Sequence, residues 1–418
     1  MKGPLTVIDH GITLPRGFRS NGVACGIKRS LRPDLALLVS ESEASMAGVF
    51  TTNRIRAAPV ILTEERLRET KGHGRGVVVV SGVANALTGP EGLTDSQTLV
   101  DKTERVLGLP TGSLLHAATG VIGPRIPLPL VEKHLGEAAA GLASDRPAAR
   151  RAAAAILTTD TMAKEAAVVA RLSDGTKFHV AGMAKGSGMI APALGPPHAT
   201  TLGFITTDAR TSPEALQQIL AEESDRTFNM VSVDGDTSTN DSLLLFANGK
   251  AGGMDAGAEP VFRAAVGLVL EKLARAVARD GEGATKLLTV RVRGARDEAG
   301  ARLAAKAIAR SMLVKTALFG ADPNVGRIAC ALGYSGADFD PGDLEITLQD
   351  GHRQWPLVQE GRPVPGLENG EGKRLHSILQ RLEEVDLEVT LGAGPARATA
   401  WGCDLSYGYV HINAQYRT

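Results

Sequence analysis

A lysine among glycines, a proline-rich loop and a pair of threonines lie within one stretch of this chain. Residues 182–209 read GMAKGSGMIAPALGPPHATTLGFITTDA, so Thr200 begins an apolar segment typical of a β-strand. A hydroxyl in that place, behind a loop able to adopt strained geometry, can attack the carbonyl carbon of Ala199 and convert the amide into an ester. Hydrolysis of the ester would leave Thr200 as a new N-terminus.

Cleavage between Ala199 and Thr200 would also create a base. An α-amino group has an ordinary pKa of about 8, so it can accept the proton of the Thr200 hydroxyl at neutral pH. The simpler interpretation is that this threonine only begins a strand, a position in which threonine is favoured. The local residues alone leave both interpretations open.

The composition excludes several other classes of protein. The 418 residues carry 46 basic and 46 acidic side chains, a balance that argues against a nucleic-acid or anionic-membrane surface. Cys25, Cys330 and Cys403 are widely spaced and odd in number, so neither a disulfide framework nor a thiolate metal site is predicted. No apolar run of about 18 residues and no signal peptide occur, which favours a cytoplasmic protein.

Two short motifs imitate ligand sites without completing them. The GxG at 186–188 lacks the third glycine of a dinucleotide loop. Asp234, Asp236 and Ser238 resemble the start of a calcium loop, but Thr239 and Leu245 replace its glycine and glutamate. The histidines form no HxH or HExxH pair, so we predict no metal site.

Periodicity predicts mixed strands and helices without strict βαβ alternation, which favours an α+β fold. The predicted strands are 35–39, 47–52, 76–82, 114–123, a hairpin of 165–172 and 177–184, 202–209, 241–249, 285–294, 343–350 and 385–392. The predicted helices are 95–107, 147–157 with Ser144 and Asp145 as possible caps, 213–228 after Ser212, 260–281 and 298–312.

Longer motifs recur along almost the whole chain, in a constant order and spacing. They are GVFTTNRIRAAPV (48–60), ATGVIG (118–123), TTDT (158–161), DRTFNMVSVDGDTSTNDS (225–242), DGEGATK (280–286), VKTALFGADPNVGR (314–327) and WGCDLSYGYVHINAQYRT (401–418). Together with residues 182–209, these motifs resemble the ornithine acetyltransferases, also called glutamate N-acetyltransferases. In that family a self-cleaving threonine is the nucleophile.

The resemblance implies a layered α-β-β-α sandwich over residues 1–260. A smaller C-terminal α/β domain, 261–418, would return its tail to the active site. Cleavage would give mature chains 1–199 and 200–418, which assemble as two α and two β chains.

The resemblance also assigns roles to individual residues. Thr200 matches the nucleophile, and Thr119 and Gly120 match the oxyanion hole. The substrate-binding set is Thr158, Lys185, Thr200, Glu282, Asn413 and Thr418. Within it Lys185 suits a substrate carboxylate and Glu282 suits the side-chain ammonium of ornithine. Thr159 and Thr161 are alternatives to Thr158.

The implied reaction is a ping-pong transfer of acetyl from N2-acetylornithine to glutamate in arginine biosynthesis. No cofactor is implied, and acetyl-coenzyme A remains open as a co-substrate. The alternatives are a self-processed aminopeptidase or amidase, in which water resolves the acyl-enzyme, and a catalytically silent relative.

Four departures from the family pattern leave room for a specialised acceptor. The loop ALGPPH (193–198) is about four residues longer than usual, and VSGVANALTG (80–89) keeps only Asn85 of the usual asparagines. Ala118 and Val325 replace a serine and a tryptophan.

Overall fold

The computed structural model describes residues 4–191, 194–195, 201–253, 258–350 and 353–415, with the backbone alone at 194, 195 and 253. Its strands are β1 (Leu5–Ile8), β2 (Phe18–Val23), β3 (Leu35–Thr51), β4 (His73–Val83), β5 (Leu114–Val121), β6 (Lys164–Arg171), β7 (Lys177–Lys185), β8 (Leu194–Gly195), β9 (Leu202–Arg210), β10 (Val231–Ser232), β11 (Ser242–Gly253), β12 (Leu287–Ala295), β13 (Glu345–Gln349), β14 (Gln354–Gln359), β15 (Arg362–Pro363), β16 (Glu384–Thr390) and β17 (Ala396–Cys403).

The helices of the same residues are α1 (Ala58–Glu69), α2 (Gly89–Leu107), α3 (Leu128–Ala140), α4 (Arg146–Ala155), α5 (Pro213–Arg226), α6 (Glu259–Arg279), α7 (Glu298–Arg310), α8 (Met312–Phe319), α9 (Val325–Gly333), α10 (Gly370–Leu379) and α11 (Tyr407–Gln415), with 3-10 turns at Phe228–Met230 and Pro341–Asp343. No helix in this part of the chain combines the length and the apolar character that crossing a membrane requires.

The described strands form two mixed sheets. The first has the order β1-β6-β7-β9-β11-β3-β4-β5, with β2 and β8 also paired to β3. The second has the order β10-β17-β12-β16-β13-β14-β15. Parallel pairs, such as β4 with β5 and β9 with β11, are interspersed among antiparallel ones. The predicted α+β class is therefore confirmed.

Strand β3 connects two halves of the first sheet. Residues 35–40 pair with β2, whereas residues 45–50 pair with β11. Between these two parts, the pairing of β3 with β4 is irregular from Val39 to Ala44. Because such irregularities bend a strand and increase its twist, β3 can pair with strands of both halves.

The two halves of the first sheet pack face to face. Leu38 and Leu115 of one half share an apolar cluster with Phe204 and Leu244 of the other half. Since successive side chains of a strand alternate between faces, the residues in between point outward. One outer face packs against α2 and α3, and the other packs against α5 and α6. These layers are the predicted α-β-β-α sandwich.

Helix α6 joins the second sheet to this sandwich. It packs against β6 and β7 of the first sheet and also contacts β12 and β17 of the second. Strand β10 comes from the sandwich segment and pairs in parallel with β17. The division into domains at residue 260 remains a prediction, and the helix that begins there contacts both sheets.

The predicted helix starts at Asp145 and Ser212 are confirmed. The Asp145 and Ser212 side chains accept hydrogen bonds from the amides of Ala148 and Ala215. Helix α1 was not predicted, and its N-cap, Ala57, provides no side-chain hydrogen bond. Helix α3 and strand β17 were also missed.

Two further predictions on the elements were wrong. The strands predicted at 35–39 and 47–52 are one strand, β3. The helix predicted at 298–312 ends at Arg310, because Ser311 caps a second helix through the amide of Val314.

A buried histidine in β5 makes the stability of the fold dependent on pH. The His116 ring is 1% exposed, and neither ring nitrogen has a hydrogen-bond partner among the described residues. Burial, aided by the charge of Arg66, lowers the pKa of His116 from 6.5 to about 3. A protonated ring is therefore strongly disfavoured in the folded chain.

We expect the free energy of unfolding to fall by about 1.4 kcal/mol per pH unit on this account as the pH drops from 6.5 towards 3. In that range the unfolded chain takes up the proton and the folded chain does not. Urea titrations at pH 7 and pH 5 measure the change. His116→Leu should reduce this difference in stability, whereas replacement of the partly exposed His134 should leave the difference unchanged. Equal slopes in the wild type and His116→Leu would contradict the assignment.

Candidate active site

The ends of several strands enclose a polar cleft of about 310 Å³. It is lined by Thr119, Gly120, Val121, Ile122, Thr158, Thr159, Lys185, Gly188, Met189, Leu202, Ser238, Thr239, Asn240, Asp241, Glu282 and Asn413. Six residues of the predicted site are therefore brought together from distant parts of the chain. Ala199, Thr200 and Thr418 lie outside the described residues, as does His198 of the long loop.

Thr119 and Gly120 lie near the end of β5, where the strand meets β4. Gly120 has φ +138°, and a Cβ added to it would lie 2.2 Å from the carbonyl carbon of Gly82. The register of β4 and β5 shifts here, so that Val83 pairs with both Thr119 and Val121. Only glycine permits this close approach of two backbones, which fixes the course of the backbone at this wall of the cleft.

Asn240 lies just before β11 and is hydrogen-bonded to the backbone of this same region. Its Nδ2 donates to the carbonyl oxygen of Ala84 at 2.6 Å and to that of Ala118 at 2.8 Å. Its Oδ1 accepts a hydrogen bond from the Thr239 hydroxyl at 2.6 Å. The backbone that carries the candidate oxyanion hole is thus held by a fully engaged, buried amide.

Lys185 ends β7 beside the start of β9. It pairs with Leu202, two residues after the predicted nucleophile. On the other side of β9, the amide of Ser242 donates to the carbonyl oxygen of Thr201 at 2.9 Å. Thr201, which is 2% exposed, is therefore held next to both the lysine and the loop before β11.

A buried ionic network lies behind Lys185. The Lys164 ammonium lies 2.6 Å from Asp160 Oδ1 and 2.6 Å from Asp280 Oδ2. Lys185 Nζ lies 4.0 Å from Asp160 Oδ2. Asp160 also accepts hydrogen bonds from the amides of Gly186 at 2.7 Å and Thr158 at 3.0 Å. One carboxylate thus fixes two segments of the cleft wall.

Burial and charge shift the pKa values of these groups in different directions. Burial lowers the pKa of Lys185, and the Asp160 carboxylate opposes that effect. Burial also disfavours an ionised Asp160, but Lys185 and Lys164 outweigh it and hold the pKa of Asp160 below its usual range. Perturbed values of this kind are typical of functional clefts.

Glu282 enters the cleft from the segment after α6. Its amide donates to the carbonyl oxygen of Ser187 at 2.9 Å, and its Oε2 accepts a hydrogen bond from Asn413 Nδ2 at 2.8 Å. A Cβ at Gly188 would lie 2.3 Å from the carboxyl carbon of Glu282. Gly188 of KGSG therefore makes room for a carboxylate, which gives this glycine a role in a motif that fits no dinucleotide loop.

The structure separates the three candidate threonines of TTDT. Thr158 and Thr159 line the cleft, whereas Thr161 is hydrogen-bonded to Asp280 through its amide and its hydroxyl. Thr161 is therefore engaged in the ionic network, and Thr158 or Thr159 is available to a ligand.

Sequence reasoning missed a set of buried polar residues around the cleft. They are Asp160, Lys164, Asn240, Asp241 and Asp280. Asp160 lies in TTDT, Asn240 and Asp241 lie in DGDTSTNDS, and Asp280 begins DGEGATK, so three of the quoted motifs contained the signal. Polar residues so close to buried strands need partners, which only the fold identifies.

Asn85 is the asparagine that this chain retains from the family's usual segment, and its hydrogen bonds hold the starts of two helices. It is fully buried with φ +52°, and its Nδ2 donates to Gly92 and Ser96 at the start of α2. Its backbone carbonyl oxygen also accepts a hydrogen bond from the amide of Ala58 at the start of α1.

This two-sheet fold carries a cleft in which a strand end, a buried lysine and a carboxylate meet, and the family matches that follow make it an enzyme of the acyl-transferring class. The ArgJ family matches residues 19–418. The "Arginine biosynthesis bifunctional protein ArgJ" of Synechococcus sp. is 43% identical over 98% of both chains, and the protein of that name from Symbiobacterium thermophilum is 46% identical over 98% of both. The chain belongs to the ArgJ family of arginine-biosynthesis enzymes, and the resemblance predicted from the sequence is confirmed.

Solved structures of the same family are also similar. The ArgJ protein of Bacillus halodurans is 40% identical, covers 50% of this chain and 97% of its own, and has a TM-score of 0.47. The ornithine acetyltransferase of Mycobacterium tuberculosis, solved with ornithine, is 36% identical, covers 46% and 100%, and has a TM-score of 0.43.

Proposed function

We propose that this chain cleaves itself between Ala199 and Thr200 and then transfers acetyl from N2-acetylornithine to glutamate. The observation that carries the proposal is the convergence of Thr119, Gly120 and Lys185 on one cleft. Leu202, two residues after the proposed nucleophile, lines the same cleft. Membership of the ArgJ family supports the choice of substrates.

The reaction proceeds in two half-reactions. The Thr200 hydroxyl attacks the acetyl carbonyl carbon while the new α-amino group accepts its proton, and the amides of Thr119 and Gly120 stabilise the oxyanion. Ornithine leaves, and an acetyl ester remains on Thr200. Glutamate then enters and takes the acetyl group, which regenerates the free hydroxyl.

The substrate is held by its charged ends. Lys185 pairs with the α-carboxylate, and Glu282, steadied by Asn413, pairs with the side-chain ammonium of ornithine. Thr158 and Thr418 complete the polar wall. The glutamate side chain has the opposite charge, so it requires a different set of contacts at the Glu282 end.

The remaining features of the proposal follow the family resemblance. The mature chains 1–199 and 200–418 assemble as two α and two β chains in the cytoplasm. No cofactor takes part in the transfer. Acetyl-coenzyme A enters only as an alternative acetyl donor, which the same assay tests by replacing N2-acetylornithine.

Intact mass spectrometry of the wild type and Thr200→Ala tests the nucleophile. We expect the wild type to give residues 1–199 and 200–418, and the variant to remain one chain of 43.6 kDa. Thr201→Ala is the matched control and should still be cleaved before residue 200. Cleavage elsewhere, or an intact wild type, would overturn the assignment.

Acetate release distinguishes a transferase from an amidase. Mature enzyme given N2-acetylornithine should release ornithine continuously only when glutamate is present. Acetate formed equally fast without glutamate would mean that water resolves the acyl-enzyme, as in the amidase interpretation.

A further inference from the structure

Asp241 is a buried carboxyl that lines the cleft. The residue is 2% exposed, and its Oδ2 has no hydrogen-bond partner among the described residues. Lys185 and hydrogen bonds from Ser238 favour the ionised form of this carboxyl. A buried carboxyl oxygen without a partner is costly, so it indicates a group that takes a ligand or a proton.

The neighbours of Asp241 place it at the centre of the proposed chemistry. On one side, Asn240 holds the carbonyl oxygen of Ala118, directly before the oxyanion pair. On the other side, the amide of Ser242 holds the carbonyl oxygen of Thr201, directly after the proposed nucleophile. Asp241 thus lies between the two segments that must meet at the reacting carbonyl.

In the second half-reaction the incoming amino group loses two protons. The α-amino group of Thr200 can pass one of them to Oγ, so the other needs a second acceptor. An amino acid enters with its amine protonated at neutral pH, and an ammonium cannot attack an ester. We propose that Asp241 is the catalytic base that removes this proton from the incoming amino group. This role rests on the proposed function and extends it to the acceptor step.

The step balances as follows. Asp241 takes one proton from the ammonium, and the resulting amine forms a bond to the ester carbonyl carbon. The bond from that carbon to Thr200 Oγ breaks, and Oγ takes the second proton that the nitrogen loses. The product amide keeps the third hydrogen, and Asp241 releases its proton to water.

The charges around Asp241 suit a base. Lys185 on β7 and Glu282 after α6 face the same cleft, and Asp160 lies behind Lys185. Burial raises the pKa of Asp241 well above that of an ordinary carboxyl, and Lys185 and Ser238 oppose the rise only in part. A carboxyl of raised pKa accepts a proton from an amine more readily.

The test compares two acceptors after loading with N2-acetylornithine. Glutamate needs its proton removed, whereas hydroxylamine is already unprotonated at neutral pH. We expect Asp241→Asn to slow transfer to glutamate by at least ~100-fold and to change transfer to hydroxylamine only a few-fold. Asp241→Glu, which keeps a carboxyl, should restore part of the glutamate rate.

The pH dependence of the rate of transfer to glutamate is a second readout. It is measured on the wild type, so it does not depend on a variant that folds. With a base present, the glutamate rate should stay level between the pKa of Asp241 and that of the amine. Without it, the rate should rise about tenfold per pH unit, as free amine becomes available. A tenfold rise per unit in the wild type would overturn the role of Asp241.

The outcomes separate this inference from the proposed function. Asp208→Asn is the matched control, since Asp208 is an equally buried carboxyl that accepts hydrogen bonds from Arg16 and from the amide of His179, at the end of β9 opposite the cleft residue Leu202. Equal loss with both acceptors in Asp241→Asn, or no loss, would make Asp241 structural. A wild type that forms no acetyl ester on the 200–418 chain would instead refute the proposed function and this inference with it.

Discussion

Gly120→Ala is expected to lower both self-cleavage and acetyl transfer by about 10²–10³-fold. The added Cβ would lie 2.2 Å from the carbonyl carbon of Gly82 and 2.5 Å from the amide nitrogen of Val83. Backbone cannot yield as a side chain can, so the end of β5 must move and its amides must turn away from the oxyanion. The cleavage rate of fresh protein and kcat of mature enzyme measure the two effects.

Gly112→Ala is the control for backbone strain. Gly112 also has a positive φ, +86°, but a Cβ there meets no atom within 4 Å, and it precedes β5 outside the cleft. An alanine in that conformation costs about 1–2 kcal/mol of stability and should leave kcat unchanged. If Gly120→Ala and Gly112→Ala had the same activity, residue 120 would not position the oxyanion hole.

Asp160→Asn is expected to lower the free energy of unfolding by about 3–5 kcal/mol. The side chains of Asp160 and Lys164 are both 0% exposed, and Lys185 lies on the other carboxyl oxygen. The substitution keeps the shape but leaves two buried ammonium groups with less compensating charge. Urea titration in the uncleaved Thr200→Ala background measures the loss on a single chain.

The same carboxylate makes part of the stability depend on acid. The pKa of Asp160 is lowered in the folded state, so its contribution is complete above the ordinary carboxyl pKa of about 4. The contribution is lost as the pH falls below that value towards the folded-state pKa. Asp160→Asn should therefore differ from its parent more at pH 6 than at pH 3.

Asp174→Asn is the control for a surface carboxyl. Asp174 accepts hydrogen bonds from the amide and the hydroxyl of Thr176 in an exposed turn. Its replacement should leave the free energy of unfolding close to that of the parent. A similar small effect of Asp160→Asn would mean that the network behind Lys185 is dispensable.

Local sequence patterns predicted most of the sandwich. Helices α4 and α5 begin at Asp145 and Ser212 because a cap hydrogen bond is decided within four residues. The hairpin of β6 and β7 follows from alternation around the Asp174-Gly175 turn. Helix α1 escaped prediction because it lacks a side-chain cap, and tertiary packing stabilises it instead.

The candidate site likewise contains residues that sequence motifs predicted and residues that only the structure revealed. The family motifs singled out Thr119, Lys185 and Glu282, since motif order along the chain is a property of the sequence, and the three residues line one cleft. The motifs did not identify Asp160 or Asp241. The roles of these two residues depend on which charges lie opposite them, and residue types alone do not reveal that.

The sequence by itself determined most elements of the sandwich, the family and the candidate nucleophile, because short-range patterns and motif order carry that information. The tertiary structure alone decided which polar residues share one cleft, that Gly120 lies against the backbone of Gly82, and that Asp241 has an oxygen without a hydrogen-bond partner among the described residues. The physical reason is that the energy of a buried charge or a close backbone approach depends on neighbours distant in sequence, which only the packed chain brings together.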